Sequence, residues 1–156
     1  MADRFRLMLV GAVLLAAGCE VSQEGGGGQD RVAITAEHIS HITDVQWTLE
    51  RMVIDGKAVA LTGDRPHVQF ASDGRVTGFS SVNRFFGLMQ IDPGGQVRWP
   101  GALAATRMAG PPALMRQEEA FMAAIQSVRQ WSIEGIRLYG QDAEGSTQLV
   151  FSVPAP

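Results

Sequence analysis

The sequence predicts an α+β, mainly β fold: an antiparallel sheet curled into a half-open barrel with one packed α-helix near Pro112–Arg129. Three observations carry this. Short runs of β-forming residues recur from Gln46 to Val153, turn dipeptides punctuate them, and one segment alone has a helical stripe. The dipeptides are Asp55-Gly56, Asp73-Gly74, Gly94-Gly95, Glu134-Gly135 and Glu144-Gly145. Glycine accepts the positive φ of a tight hairpin turn, and Asp takes a hydrogen bond from the backbone two residues on.

In chain order the N-terminus comes first, and it reads as an export signal. Arg4 and Arg6 give a charged start, Leu7 to Leu15 a short apolar stretch, and Ala16-Ala17-Gly18 the small residues a signal peptidase needs. Cys19, the sole cysteine, follows directly. The apolar run is too short to cross a hydrocarbon core that needs ~20 residues. An ordinary secretory signal also ends in small residues, so the lone cysteine at the cut decides for a lipoprotein, with lipid (palmitate included) on its sulfur and the membrane as first partner. Leu15 stands one place further from Cys19 than the commonest lipobox has it. Glu20 follows Cys19, where an aspartate would resemble an inner-membrane retention signal, so the expected address is the outer membrane, facing the periplasm.

The expected domains are thus a signal peptide over 1–18, a flexible tether over 19–43 and a folded domain over 44–156. The tether expectation rests on the run Gly25 to Gly28 and on the lack of apolar periodicity up to His41. His38 and His41 lie three apart there, but two histidines without further ligands do not make a metal site. Removing residues 1–18 leaves 11 basic against 15 acidic residues, a net charge of −4, which does not point to a nucleic-acid partner. No cofactor or metal is expected. The 138 residues that remain suffice for one domain with its own core, and no disulfide can assist it.

The expected strands are Gln46 to Ile54, Val68 to Ala71, Arg75 to Phe79, Phe85 to Ile91, Gln96 to Trp99, Gln130 to Ile133, Ile136 to Tyr139 and Gln148 to Val153. In the first, Trp47, Leu49 and Arg51 fall on one face, with alternation clear only at its start. Val97 with Trp99, and Ile136 with Leu138, repeat the period of two. Antiparallel strands of this kind bury one face and must close into a barrel or cover their edges. Between them, Leu114, Glu118, Phe121, Ile125 and Val128 fall at spacings of four and three, one stripe of a helix that starts after Pro111-Pro112. Met108, Met115 and Met122 read as gap-fillers more readily than as an adaptable ligand surface.

The order of these elements and a set of local strings resemble the META/HslJ domain, a small bacterial envelope domain common in lipoproteins. The strings are Trp47-Thr48-Leu49, then Gly78 followed by Asn83-Arg84-Phe85 and Gly87, then Thr106-Arg107-Met108-Ala109, then Glu118-Glu119 with Phe121, and Ile133 with Leu138. They span about 105 residues, a typical single-domain length. The family typically has a cysteine before the Asn-Arg string and another after the Thr-Arg-Met-Ala string. Val82 and Gly110 stand there in this chain. The resemblance therefore implies a disulfide lost as a pair, a change that typically costs about 2–5 kcal/mol unless packing replaces it.

Trp47, Gly78, Asn83, Arg84, Gly87, Thr106, Arg107 and Met108 form the motif set, read as structural: Gly78, Asn83 and Gly87 shape a turn or bulge, and Arg84 pairs internally. The competing reading is a polar site in which Arg84 presents its planar fork to an anion. A Gly-x-Ser-x-Gly elbow, a paired-histidine helix and a phosphate loop are all missing from the sequence, so no enzyme activity is expected. Two non-catalytic functions remain. One is an envelope maintenance or stress module that contacts another protein, which similarity to heat-inducible family members implies. The other is the binding of an acyl chain or small apolar ligand, which the likeness of META domains to secretion pilotins implies, with Phe85, Leu88, Phe121 and Ile125 as the candidate pocket. An exposed apolar groove would favour the first, an enclosed cavity the second.

Overall fold

The computed structural model describes residues 31–153. The expected signal peptide, Cys19 and the run Gly25–Gly28 lie outside the described residues. The strands are β1 (Val32–Ala33), β2 (Gln46–Ile54), β3 (Lys57–Val59), β4 (His67–Phe70), β5 (Arg75–Phe79), β6 (Arg84–Leu88), β7 (Gln90–Ile91), β8 (Val97–Arg98), β9 (Ala104–Ala105), β10 (Gln130–Glu134), β11 (Arg137–Gln141) and β12 (Gln148–Ser152). One helix, α1 (Pro112–Ser127), stands between β9 and β10.

The main sheet runs β1-β10-β11-β12-β2-β4-β5-β6-β9, with β3 on the side of β2 and every strand pair antiparallel. Its ends, β1 and β9, do not pair with each other, so the curled sheet is a half-open barrel and not a closed one. Strands β7 and β8 form a separate ribbon. The turn glycines Gly56, Gly74, Gly95, Gly135 and Gly145 all take positive φ, as hairpin punctuation requires.

Inside the curl a row of aromatic rings fills the space. Phe85 lies 5.9 Å from Phe121, Phe121 is 6.4 Å from Phe151, Phe151 is 6.0 Å from Trp131, and Trp131 is 5.3 Å from Phe70. Each is at most 2% exposed. Burying a side chain of this size contributes about 1.5–3 kcal/mol. Helix α1 covers the open side with Phe121, Ala124 and Ile125, and begins with a proline in its first turn, where a missing N–H costs nothing.

Strand β2 shows why its alternation fades. Leu49 pairs with Phe151 and Arg51 with Val150, so Glu50 is one residue too many for β12. This β-bulge inverts the phase: Trp47 and Leu49 are buried before it, Met52 after it, and Arg51 points to solvent instead of sharing their face. The Arg65 guanidinium donates to the carbonyls of Leu49 (3.3 Å) and Glu50 (3.2 Å), occupying acceptors at the bulge.

Several expectations are corrected. Residues 31–43, assigned to the tether, belong to the fold. Val32 and Ala33 pair with β10, a 3₁₀ turn spans Ile39–His41, and Ile34 and Ile42 are fully buried. This strap crosses from Trp131 past Asp92 to Phe70 through the Ile34, Ala36 and Asp44 amides, and the Trp47 indole fastens it by donating to the Ile42 carbonyl at 2.9 Å. Its apolar residues, Ile34, Ile39 and Ile42, follow neither a helical nor a strand period because each is buried by a distant part of the chain. Ile136 sits in the β10–β11 turn and is 63% exposed, so it does not share the inward face of Leu138. The run expected over Phe85 to Ile91 breaks at Met89, whose side chain turns inward and accepts the Trp131 indole N–H on sulfur at 3.2 Å. Strands β3 and β9 were not expected.

Candidate functional site

Three of the motif residues, Asn83, Thr106 and Met108, meet Glu118 of α1 at the β5–β6 turn, whereas Trp47 lies apart and fastens the strap. Asn83 is 1% exposed and both ends of its side chain are used. Its amide nitrogen donates to the Glu118 carboxylate (2.8 Å) and to the Met108 carbonyl (3.2 Å). Its oxygen accepts from the Thr106 hydroxyl (2.8 Å) and the Met108 backbone N–H (2.7 Å). Glu118 also takes the Ser80 hydroxyl at 2.7 Å and the backbone N–H groups of Asn83 at 2.8 Å and Val82 at 3.3 Å. One helix turn, one strand turn and the loop before the helix are thereby tied together.

Burial pushes the Glu118 carboxyl up, but the hydrogen bonds from Ser80, Asn83 and Val82 together outweigh it and hold the group below the usual carboxylate range. Beside it, Gln117 is buried and donates to Ser81 Oγ at 2.7 Å and to the Thr62 carbonyl at 3.2 Å. Ser81 carries φ of +106°; the positive φ of this turn falls there and not on Asn83. The hub thus closes its polar groups on each other, a structural arrangement.

The glycines of the motif serve close approach. A Cβ at Gly78 would collide with the His67 carbonyl and the Phe85 ring, and one at Gly87 with Leu103. Val82 and Gly110 are neighbours: a Cβ built on Gly110 would stand 3.5 Å from Val82 Cβ, within the span of a disulfide, and 2.8–2.9 Å from its methyls. The valine methyls therefore fill the room that a second side chain would take.

The arginines behave differently from expectation. Arg84 is exposed and, among the described residues, enters no ion pair, so it does not pair internally; the alternation of β6 that sends Phe85 inward sends Arg84 out. Arg107 is exposed as well. The four candidate pocket residues are not brought together. Phe85, Phe121 and Ile125 pack in the core, whereas Leu88 is 52% exposed on the opposite face of β6. Residues three apart on a strand face opposite ways.

That outer face holds what the sequence reading missed. Phe86 is 60% exposed, next to Leu88 on the solvent side, and both line an open groove of about 480 Å³. Thr77 and Arg75 of β5 form its floor with them, and the loop from Pro100 to Ala104 forms its wall. The pair Phe85-Phe86 was the available signal, because two adjacent aromatics in a strand cannot both enter one core. Among the described residues no group of three or more His, Cys, Asp or Glu could hold a metal ion, and no helix is long and apolar enough to cross a membrane.

Comparison with known proteins gives a consistent result. The META domain family model matches residues 40–154. A protein from Burkholderia xenovorans, known by NMR, superposes with a TM-score of 0.62 at 20% identity, over 80% of this chain and 92% of that one. A crystallised DUF4847 family protein from Bacteroides vulgatus gives 0.53 at 12% identity, over 72% and 94%. No curated protein matches the chain. These structural likenesses bear on the fold alone.

Proposed function

The chain belongs to the META domain family, and we propose that it is a lipid-anchored envelope protein that acts without catalysis, by docking another protein on its outer sheet face. One observation supports docking above all: Phe86 and Leu88 stand exposed in an apolar groove, while Phe85, Phe121 and Ile125, the residues that would line an internal ligand site, are at most 2% exposed. Exposed apolar grooves of this kind mark interaction surfaces. The anchor in this reading is lipid on Cys19, holding the domain at the outer membrane on its periplasmic side in an envelope-maintenance or stress role.

The test places a photo-reactive amino acid at Phe86 or, as control, at Ala58 on the β3 edge, in the full-length protein within a bacterial envelope. A discrete protein adduct from Phe86 alone is the expected result. Adducts to lipid only, or none, would overturn the docking reading. The anchor is tested separately: Cys19→Ser should release the protein from membranes in fractionation, and continued retention with an unprocessed mass would refute lipidation.

A further inference from the structure

We propose that the groove's occupant is an extended segment of a partner protein in which apolar side chains are flanked by carboxylates. This rests on the docking reading and adds to it the partner's chemistry.

Charge and strand register single out this occupant. Along β6 the residues that point outward are Arg84, Phe86 and Leu88. Across the ladder, Phe79 of β5 stands opposite Arg84, Thr77 opposite Phe86, and Arg75 opposite Leu88. An arginine thus lies at each end of the apolar strip. At about 3.3 Å per residue the two ends are roughly 13 Å apart along the strand, the span of about four residues in an extended peptide. The chain as a whole carries a net charge of −3, so a patch whose cations bracket the exposed Phe86 and Leu88 runs against the overall sign.

The carboxylate nearest in this set is Asp73, and it is engaged with Arg75 at 2.8 Å, both groups being more than half exposed. That pair is solvent-screened and easily exchanged for an incoming carboxylate. Among the described residues Arg84 has no carboxylate to give up. Guanidinium groups favour planar, two-point contact with carboxylates, so the site selects acidic flanks and disfavours basic ones. The groove is open along its length, which suits side chains of a polypeptide laid across it better than a sequestered acyl chain.

The experiment uses the full chain carrying Cys19→Ser and three fluorescent nine-residue peptides with one shared apolar alternation, flanked by Asp, by Ser or by Lys. Anisotropy should give binding at least tenfold tighter for the Asp-flanked peptide than for the Ser-flanked one, with the Lys-flanked peptide weakest. The double variant R75E/R84E should invert that order. F86S/L88S should abolish binding of all three while near-UV dichroism stays unchanged, since neither side chain belongs to the core. Equal affinity for all flanks, or no inversion, overturns the acidic-partner inference and leaves apolar docking standing. If no peptide binds but phosphatidylglycerol vesicles do, and F86S/L88S removes that binding, a lipid surface is the occupant and both readings fail.

Discussion

The outer face of the sheet is closed on one half and open on the other. On β10, β11, β12 and β2, polar side chains satisfy each other. Arg31 pairs with Glu134 (3.3 Å) and lies 3.7 Å over the Tyr139 ring, Arg137 pairs with Glu50 (3.1 Å), and Arg51 donates to Gln148 (2.9 Å). On β5, β6 and β9 the same surface carries Phe86, Leu88 and an unpaired Arg84. The inner face beneath both halves is filled alike. The open half is therefore not a poorly packed one: the Asn83–Glu118 hub ties the turn that joins its strands β5 and β6 to α1 and to the loop before it.

Two neighbouring phenylalanines on β6 should respond very differently to truncation. Phe85→Ala should destabilise the protein by about 3–5 kcal/mol, because it empties a site packed against Phe121. Phe86→Ala should stay within about 0.5 kcal/mol. Denaturant unfolding of the two variants checks both. A large loss from Phe86→Ala would mean that the open face belongs to the core.

Next in size is a gain. Val82→Cys with Gly110→Cys should form a disulfide, since the two positions already have a suitable Cβ separation. Closing a loop of about 28 residues should raise stability by about 3.5 kcal/mol. Unfolding with and without reductant, with thiol counting, measures it. The link fastens the turn of the open half to the loop before α1, so failure to form would show that these two parts move relative to each other.

Glu118→Ala should cost about 2 kcal/mol, as it leaves the backbone and side-chain N–H donors of buried Asn83 short of their acceptor. Its pH signature has a definite sign. The folded carboxyl titrates below its ordinary value of 4.5, so the unfolded chain binds the proton first on acidification. The stabilisation is full above the unfolded pKa and is lost as pH falls through the folded one. Glu118→Gln should flatten the acid limb of the stability profile below pH 4.5, and an unchanged limb would place the acid sensitivity elsewhere.

How much of this could be read beforehand follows from where the information sits. Strand β2 runs over the expected residues and α1 starts where expected, because turn glycines and the helical stripe are local signals. The strap over 31–43 was not legible, since Ile34 and Ile42 are buried by partners on β10 and β2 and no short-range period marks them. The same holds for β9, two small residues whose strand character comes from pairing with β6. Glu118 was legible as a stripe position but not as the centre of the hub, because its donors come from a turn some 35 residues away. The groove required knowing which of two adjacent phenylalanines faces out, and the phase of β6 settles that.

The smallest expected effect is the one that gives the closed half its meaning. Glu50 is exposed, and its carboxyl is held low chiefly by the hydrogen bond from Arg137, against a smaller push upward from burial. An ion pair so exposed gains little in water and is screened by salt. Glu50→Gln should therefore leave the unfolding midpoint at neutral pH within experimental scatter, in low salt and at 1 M alike. If so, these pairs do not hold the fold together. Their consequence is a face on which Arg31 and Arg137 must each exchange a partner, whereas Arg84 at the groove enters no ion pair among the described residues, so the closed half competes less well for an acidic partner. Under that argument Glu50→Gln should create weak new binding of the Asp-flanked peptide at the Arg137 side while leaving the groove's affinity unchanged. A midpoint that drops sharply would instead assign the closed half a stabilising role, and the contrast between the two halves would then be one of stability and not of recognition.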